Sequence, residues 1–253
     1  MRLQDRVAVV TGGAHGIGAA YCEGLAREGA HVVVADLDGP AARGVADRLS
    51  QDGPEALAVE ADVADEGAVR RMVATVDERF GRADVLINNA AMFSRVPMSR
   101  VGIDDLTVDE WDRIMTINLR SVFLCCREVL PVMRRRGSGS IINISSGTVF
   151  NGPPTRIHYV TTKAGVVGFT RVLAREVGPA GIRVNAIAPG STLSEEDPSE
   201  EVVRMREGPV HERALARIER PADLVGTALF LASDDSGFMT GQTLIVDGGV
   251  AMR

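Results

Sequence analysis

The sequence predicts an α/β fold: a single-domain, Rossmann-type doubly wound parallel sheet of about seven strands, with helices on both faces. Three observations predict it. Short apolar runs such as VAVV and HVVVA alternate with longer helical patterns along the whole chain. The runs are apolar at nearly every position, as strands are when both sheet faces are covered. A glycine-rich turn, Thr11 to Gly18, lies directly between the first strand-like run and the first helical one, and doubly wound sheets bind ligands beyond the carboxyl ends of their strands.

The elements follow in order. RVAVVTGG reads as the first strand and its turn, and 16–28 as a helix closed by Gly29. HVVVAD is the second strand and 40–51 a helix. ALAVEAD is the third strand, followed by a helix over 65–80 that Gly81 stops. ADVLINNAA is the fourth strand. Two helical patterns come next, 107–117 and 118–136; the second ends on Arg134, Arg135 and Arg136, where cations suit the helix dipole. GSIINISS is the fifth strand, 157–178 a long helix, IRVNAIAPG the sixth strand, 221–233 a helix and QTLIVDGG the last strand. No break separates two units, so 1–253 reads as one dinucleotide-binding and catalytic domain. Within it, 191–214 is polar and irregular before it turns helical, which suits a substrate lid.

The 253 residues carry a formal net charge of -6, and an acidic chain is a poor partner for nucleic acid. No run of eighteen apolar residues occurs, so no membrane span is expected. The N-terminus enters a strand-like run at once, and the expected location is cytoplasmic. The three cysteines, Cys22, Cys125 and Cys126, are too few and too odd in number for a disulfide framework and read as reduced, buried thiols. No Cys/His cluster has metal spacing, so no metal is expected.

Two places carry chemistry. In TGGAHGIG, Gly12, Gly16 and Gly18 allow a tight turn and close approach to a phosphate, which the following helix N-terminus would attract. Asp36 ends the second strand. An acid there accepts from both ribose hydroxyls of NAD and repels a 2′-phosphate, so NAD is expected over NADP. His15 either reaches the adenosine side or sits in water. Asp62 either accepts from an adenine amino group or caps a helix. The second place is HYVTTKAG, which holds the only lysine in the chain, Lys163, four residues after one of only two tyrosines, Tyr159. On a helix that spacing puts both side chains on one face. A nearby ammonium favours the phenolate, so the pair is a candidate proton-transfer device.

TGGAHGIG, NNAA, INISS and YVTTK stand in the order of the classical short-chain dehydrogenases/reductases, and the chain resembles that family over essentially its whole length, nearest to NAD-dependent secondary alcohol dehydrogenases. The resemblance implies Tyr159 as catalytic acid/base, Lys163 as the group that binds the nicotinamide ribose and lowers the tyrosine pKa, and Asn118 as the holder of a relay water. Of Ser145 and Ser146, family spacing selects Ser146 as the catalytic serine. It implies cofactor contacts at Gly12, His15, Gly16, Ile17, Gly18, Asp36, Leu37, Asp62, Val63, Asn89, Ala90, Tyr159, Lys163, Pro189, Gly190 and Thr192. The family usually reads NNAG where this chain has Ala91, and a Thr-Pro pair where this chain has Leu193 and Ser194, which leaves the role of Ser194 open. The implied reaction is hydride transfer between a small-molecule secondary alcohol, or its ketone, and NAD. The alternatives are a 3-oxoacyl thioester reductase, a group that usually prefers NADPH, and a non-catalytic NAD(H)-sensing regulator or scaffold. The family is commonly tetrameric, so a homotetramer or homodimer is expected. Residues 92–99, Thr148 to Thr155 and 193–213 are expected near the substrate. Their apolar members suit a hydrophobic alcohol, while Arg95, Arg204 and Arg206 read as solvated surface. His158 faces either the pocket or the interior.

Overall fold

Seven parallel strands form one sheet: β1 (Val7–Thr11), β2 (His31–Asp36), β3 (Ala56–Glu60), β4 (Val85–Asn88), β5 (Gly139–Ile144), β6 (Ile182–Pro189) and β7 (Thr243–Val246). Their spatial order is β3-β2-β1-β4-β5-β6-β7. This computed structural model describes residues 1–93, 96 and 98–252, the Asp52 side chain excepted.

Alternation along the strands divides the apolar residues between two layers. Val7 and Val9 of β1 and Val33 and Ala35 of β2 face the layer of α3 (Glu66–Phe80), α5 (Ser121–Arg136) and α7 (Ile157–Val177). Ala8, Val10, Val32 and Val34 face the layer of α1 (Gly16–Arg27), α2 (Gly39–Asp52) and α9 (Ala222–Ala232). Both faces are dry, which is why these strands read as unbroken apolar runs. Each fully buried aliphatic side chain contributes about 1.5–3 kcal/mol. Cys22, Cys125 and Cys126 are free thiols inside these layers.

The predicted elements are present with ends shifted by a few residues. The third strand stops at Glu60 and the fourth at Asn88, so Asp62, Asn89 and Ala90 lie in the loops beyond their strands. Asp65, not Asp62, caps α3: its carboxylate accepts from the Ala68 N–H. The two helical patterns at 107–136 are one continuous run. A π turn over Thr116–Arg120 joins α4 (Val108–Met115) to α5 without a break, the Ser121 N–H reaching back to the Thr116 carbonyl. Such turns widen a helix locally and cluster at functional sites. A short α6 (Thr148–Asn151) was not legible, and α8 (Glu200–Glu207) supplies the helical part of 191–214.

The order of strands has one consequence for function. From β1 the chain winds outward to β2 and β3, then returns to β4 on the other side of β1. The loops leaving β1 and β4 therefore part in opposite directions and open a crevice at their carboxyl ends.

Candidate active site

The glycine turn fills one side of that crevice. Gly12 and Gly16 have φ of 63° and 51°, a region that side chains avoid. A Cβ at Gly12 would lie 2.9 Å from the Ala90 Cα, and one at Gly18 only 1.9 Å from the Gly12 carbonyl oxygen. The turn is thus closed against the β4 loop and against itself. Asn89 locks it further, donating from Nδ2 to the carbonyls of Thr11 and Gly12 at 3.1 and 3.0 Å. The α1 N-terminus that follows has no side-chain cap and no acidic residue in its first turn. Its N–H groups and the positive end of its dipole suit a pyrophosphate.

Asp36 stands beside this turn. Its carboxylate accepts from the Ala14 and Asp38 N–H groups, each at 3.0 Å. An ionised carboxylate has about four acceptor positions, so two remain for vicinal hydroxyls. His15 is not the loop residue sitting in water of the second alternative: its Nε2 lies 3.0 Å from Asp38 and its Nδ1 3.7 Å from Glu196. Leu37 is exposed. Asp62 is exposed as well, one carboxylate oxygen accepting from the Ala64 N–H at 2.8 Å. Val63 packs its side chain into the core, so only its backbone is offered to a ligand. Ile17 is partly buried against the α1 layer. These residues fit a dinucleotide.

The other side of the crevice is built by β5, β6 and α7. The two serines at the end of β5 diverge. Ser145 is buried and donates to the Lys163 carbonyl at 2.8 Å. Ser146 accepts from the Thr148 hydroxyl at 2.9 Å and lies close enough to the Tyr159 phenol to lower its pKa. Tyr159 is buried, and its ring lies 5.1 Å from that of Phe93. Burial raises the phenol pKa; Ser146 and the charges of Arg156 and Arg206 pull it back down. The Lys163 ammonium turns to the Ile144 carbonyl at 2.8 Å, 5.8 Å from the centre of the Tyr159 ring, and burial lowers it to about 8. The charges that act on the phenol here are thus arginines.

Asn118 lies on the π turn, fully buried. Its side chain accepts from the Met92 N–H at 2.7 Å and donates to the Met92 carbonyl at 3.3 Å. It therefore ties the loop after β4 to the helix beneath Tyr159. Pro189 ends β6 and Gly190 follows it, and the Pro189 carbonyl accepts from Gly147 at 2.8 Å. Thr192 donates to Glu219 at 2.8 Å and keeps its lone pairs free to accept. Glu219 is buried, and so is Arg213, which lies 3.7 Å from it and donates to the Ser191 carbonyl.

His158 faces the interior, its Nε2 3.3 Å from Glu110 without hydrogen-bond alignment. Arg206 is not solvated surface: it is 5% exposed and pairs with Glu195 at 2.8 Å. Arg204 is exposed, with Glu200 one turn away. Ser94, Arg95 and Pro97 of the expected substrate-facing stretch lie outside the described residues. Sequence reasoning missed Arg156, although its place one turn before Tyr159 was visible, and missed the Thr192–Glu219–Arg213 group, which no local spacing announces. Among the described residues no cluster could hold a metal ion, and no helix is long and apolar enough to cross a membrane.

A doubly wound parallel sheet with a glycine turn at the strand-order reversal defines a dinucleotide-binding α/β protein. The family follows from comparison. A family model described as "Enoyl-(Acyl carrier protein) reductase" matches residues 12–251. The chain is 39% identical to "Probable galactose dehydrogenase GalD" of Rhizobium meliloti, over 98% of this chain and 96% of that one. It is 39% identical to "(2S)-[(R)-hydroxy(phenyl)methyl]succinyl-CoA dehydrogenase subunit BbsD" of Thauera aromatica, over 98% of both chains. It is 38% identical to "3-oxoacyl-[acyl-carrier-protein] reductase FabG" of Staphylococcus aureus, over 97% of this chain and 98% of that one. The chain belongs to the classical short-chain dehydrogenase/reductase family and is an oxidoreductase using NAD(H) or NADP(H).

Proposed function

We propose that the protein oxidises a secondary alcohol, or reduces the corresponding ketone, with NAD as its cofactor. The observation that carries this reading is the convergence of Ser146, Tyr159 and Lys163 on one side of a crevice whose other side is the glycine turn and Asp36. The bound nicotinamide supplies the hydride acceptor or donor. Tyr159 takes the proton from the alcohol oxygen, or returns it to the ketone oxygen. Ser146 orients that oxygen by a hydrogen bond, a contribution of preorganisation. Lys163 holds the ribose, and Asn118 fixes the Met92 backbone over the π turn. Asp36 accepts from the adenosine ribose hydroxyls and repels a 2′-phosphate, which favours NAD over NADP.

Residues 191–214 act in this reading as the substrate lid. The Ser194 carbonyl would lie 2.9 Å from a Cβ on Gly16, so entry to the turn requires the segment to give way.

The likeness to FabG and to BbsD favours one second reading, a reductase or dehydrogenase of acyl thioesters. Following nicotinamide absorbance with NAD⁺ and NADP⁺, each against secondary alcohols, sugars and 3-hydroxyacyl thioesters, separates the two. Turnover of an alcohol or sugar with NAD⁺ is the expected result. Turnover restricted to thioesters with NADP⁺ would replace it. Tyr159→Phe should abolish turnover while NADH still binds; retained turnover removes Tyr159 from the chemistry.

A further inference from the structure

Arg156 occupies an unusual position. It is half-buried at the start of α7, one turn before Tyr159, and among the described residues no carboxylate pairs with it. Arg100 and Arg206 lie close enough to repel it, and it acts in turn on the Tyr159 phenol. Arg206 reaches the same place from α8. Its guanidinium lies 5.5 Å over the Phe93 ring, and that ring lies 5.1 Å from Tyr159. Its Nη2 donates to Glu195, but its buried Nε has no partner. Arg100 is exposed and donates to the Met205 sulfur at 3.1 Å.

Two guanidinium groups, those of Arg156 and Arg206, thus lie beside the phenol with the exposed Arg100 acting on Arg156, and among the described residues the one carboxylate paired with any of the three is Glu195. A stable fold gains nothing from this. Withdrawing a cation from water without a partner is costly, and two cations held together add repulsion. Surface arginines of this chain behave otherwise: Arg217 and Arg135 each meet a carboxylate at 2.6 Å. Planar guanidinium groups with free donors match a carboxylate or phosphate.

Resting on the oxidoreductase reading above, we infer that the substrate carries an anionic group, a carboxylate or a phosphate, which Arg156 and the free Nε of Arg206 bind beside Tyr159. The apolar residues of the same wall, Met92, Phe93 and Val96, cover the uncharged part of the molecule. Anion binding neutralises the excess charge that the fold leaves there, so affinity depends on Arg156 more than on the already paired Arg206.

Calorimetric titration of the NADH- or NADPH-loaded protein, whichever forms, tests this with butyrate and propyl phosphate against butyramide and butanol. One anion should bind at least about tenfold more tightly than its neutral counterpart. The preference should vanish in Arg156→Gln, survive in part in Arg156→Lys, and persist in Arg204→Gln, an exposed arginine of the same helix as Arg206. The preferred anion names the substrate group. Neutral probes binding as well as both anions, or an undiminished preference in Arg156→Gln, would overturn the inference. Arg156→Gln should also match or exceed the parent in melting temperature; a fall of several degrees would make Arg156 structural and overturn it too. Binding is read without turnover, so a Tyr159→Phe protein that still turned over would defeat the proton-transfer reading and leave the anion preference standing.

Discussion

The Ser145 hydroxyl donates to the Lys163 carbonyl at 2.8 Å, fastening the end of β5 to the second turn of α7. Its neighbour Ser146 instead accepts from the Thr148 hydroxyl at 2.9 Å and acts on the Tyr159 phenol. One serine therefore fixes the frame in which the other works.

That division predicts opposite outcomes for two adjacent substitutions. Ser145→Ala should destabilise the protein by about 1–3 kcal/mol, because the Lys163 carbonyl loses its buried donor, while the surviving folded enzyme keeps most of its activity. Ser146→Ala should leave stability within about 1 kcal/mol and lower kcat on the order of 10²-fold or more. Denaturant melts and kcat on the same two proteins check this. Equal kinetic losses would remove the distinction.

A pH dependence follows from the arginines. Alcohol oxidation needs the Tyr159 phenolate, and the Arg156 and Arg206 charges favour it. Removing either charge favours the neutral phenol and raises its pKa. The acid limb of kcat against pH should move to higher pH in Arg206→Gln, with the alkaline plateau reached later. An unmoved limb would show that these charges do not govern the reacting proton.

Lys163 gives a second, with stability as its readout. Burial lowers its pKa from 10.5 to about 8. Between those values the unfolded chain holds the proton and the folded one does not, so the parent's stability rises with pH through that window. Below about 8 the buried charge opposes folding. Lys163→Met, which carries no charge, should compare best with the parent near pH 7 and lose ground from about pH 8 to 10. Melting temperatures of both proteins across that range read it; a constant difference would contradict it.

Asp36→Ala should weaken NAD⁺ binding at least about tenfold, while NADP⁺ binding changes less or improves. The Ala14 and Asp38 N–H groups would lose their charged acceptor, so stability should fall by about 1–3 kcal/mol. Fluorescence titration with both reduced cofactors decides the first part. An NAD⁺ affinity unaffected by the change would refute the role of Asp36.

Gly18→Ala should disable the turn. Its new Cβ would lie 1.9 Å from the Gly12 carbonyl, so the backbone must move. Loss of cofactor binding with a destabilisation of about 2–4 kcal/mol is expected. Gly168→Ala, on an open part of α7 where nothing lies within 4 Å, serves as the control and should be neutral or slightly stabilising.

The sequence by itself determined the α/β layering, the strands and most helices, because apolar runs and glycine placement are local: the central strands read as unbroken apolar runs, and most left-handed positions, though not Asp5 or Thr155, fall on glycine. It also determined that Tyr159 and Lys163 share a face and that Gly12, Gly16 and Gly18 form a closed turn, since these follow from spacing along one element. Tertiary structure decided what depends on residues far apart in the chain. Ser145 and Ser146 are indistinguishable until α7 packs on β5. Asp62 and Asp65 compete for one helix end until hydrogen bonding selects Asp65. Arg206, polar and flanked by acids, reads as surface until α8 folds it under Phe93. Arg156 becomes a half-buried cation, with no carboxylate partner among the described residues, only when Arg100, Arg206 and Tyr159 arrive around it. Charge compensation and burial are sums over neighbours in space, and a linear pattern does not carry them.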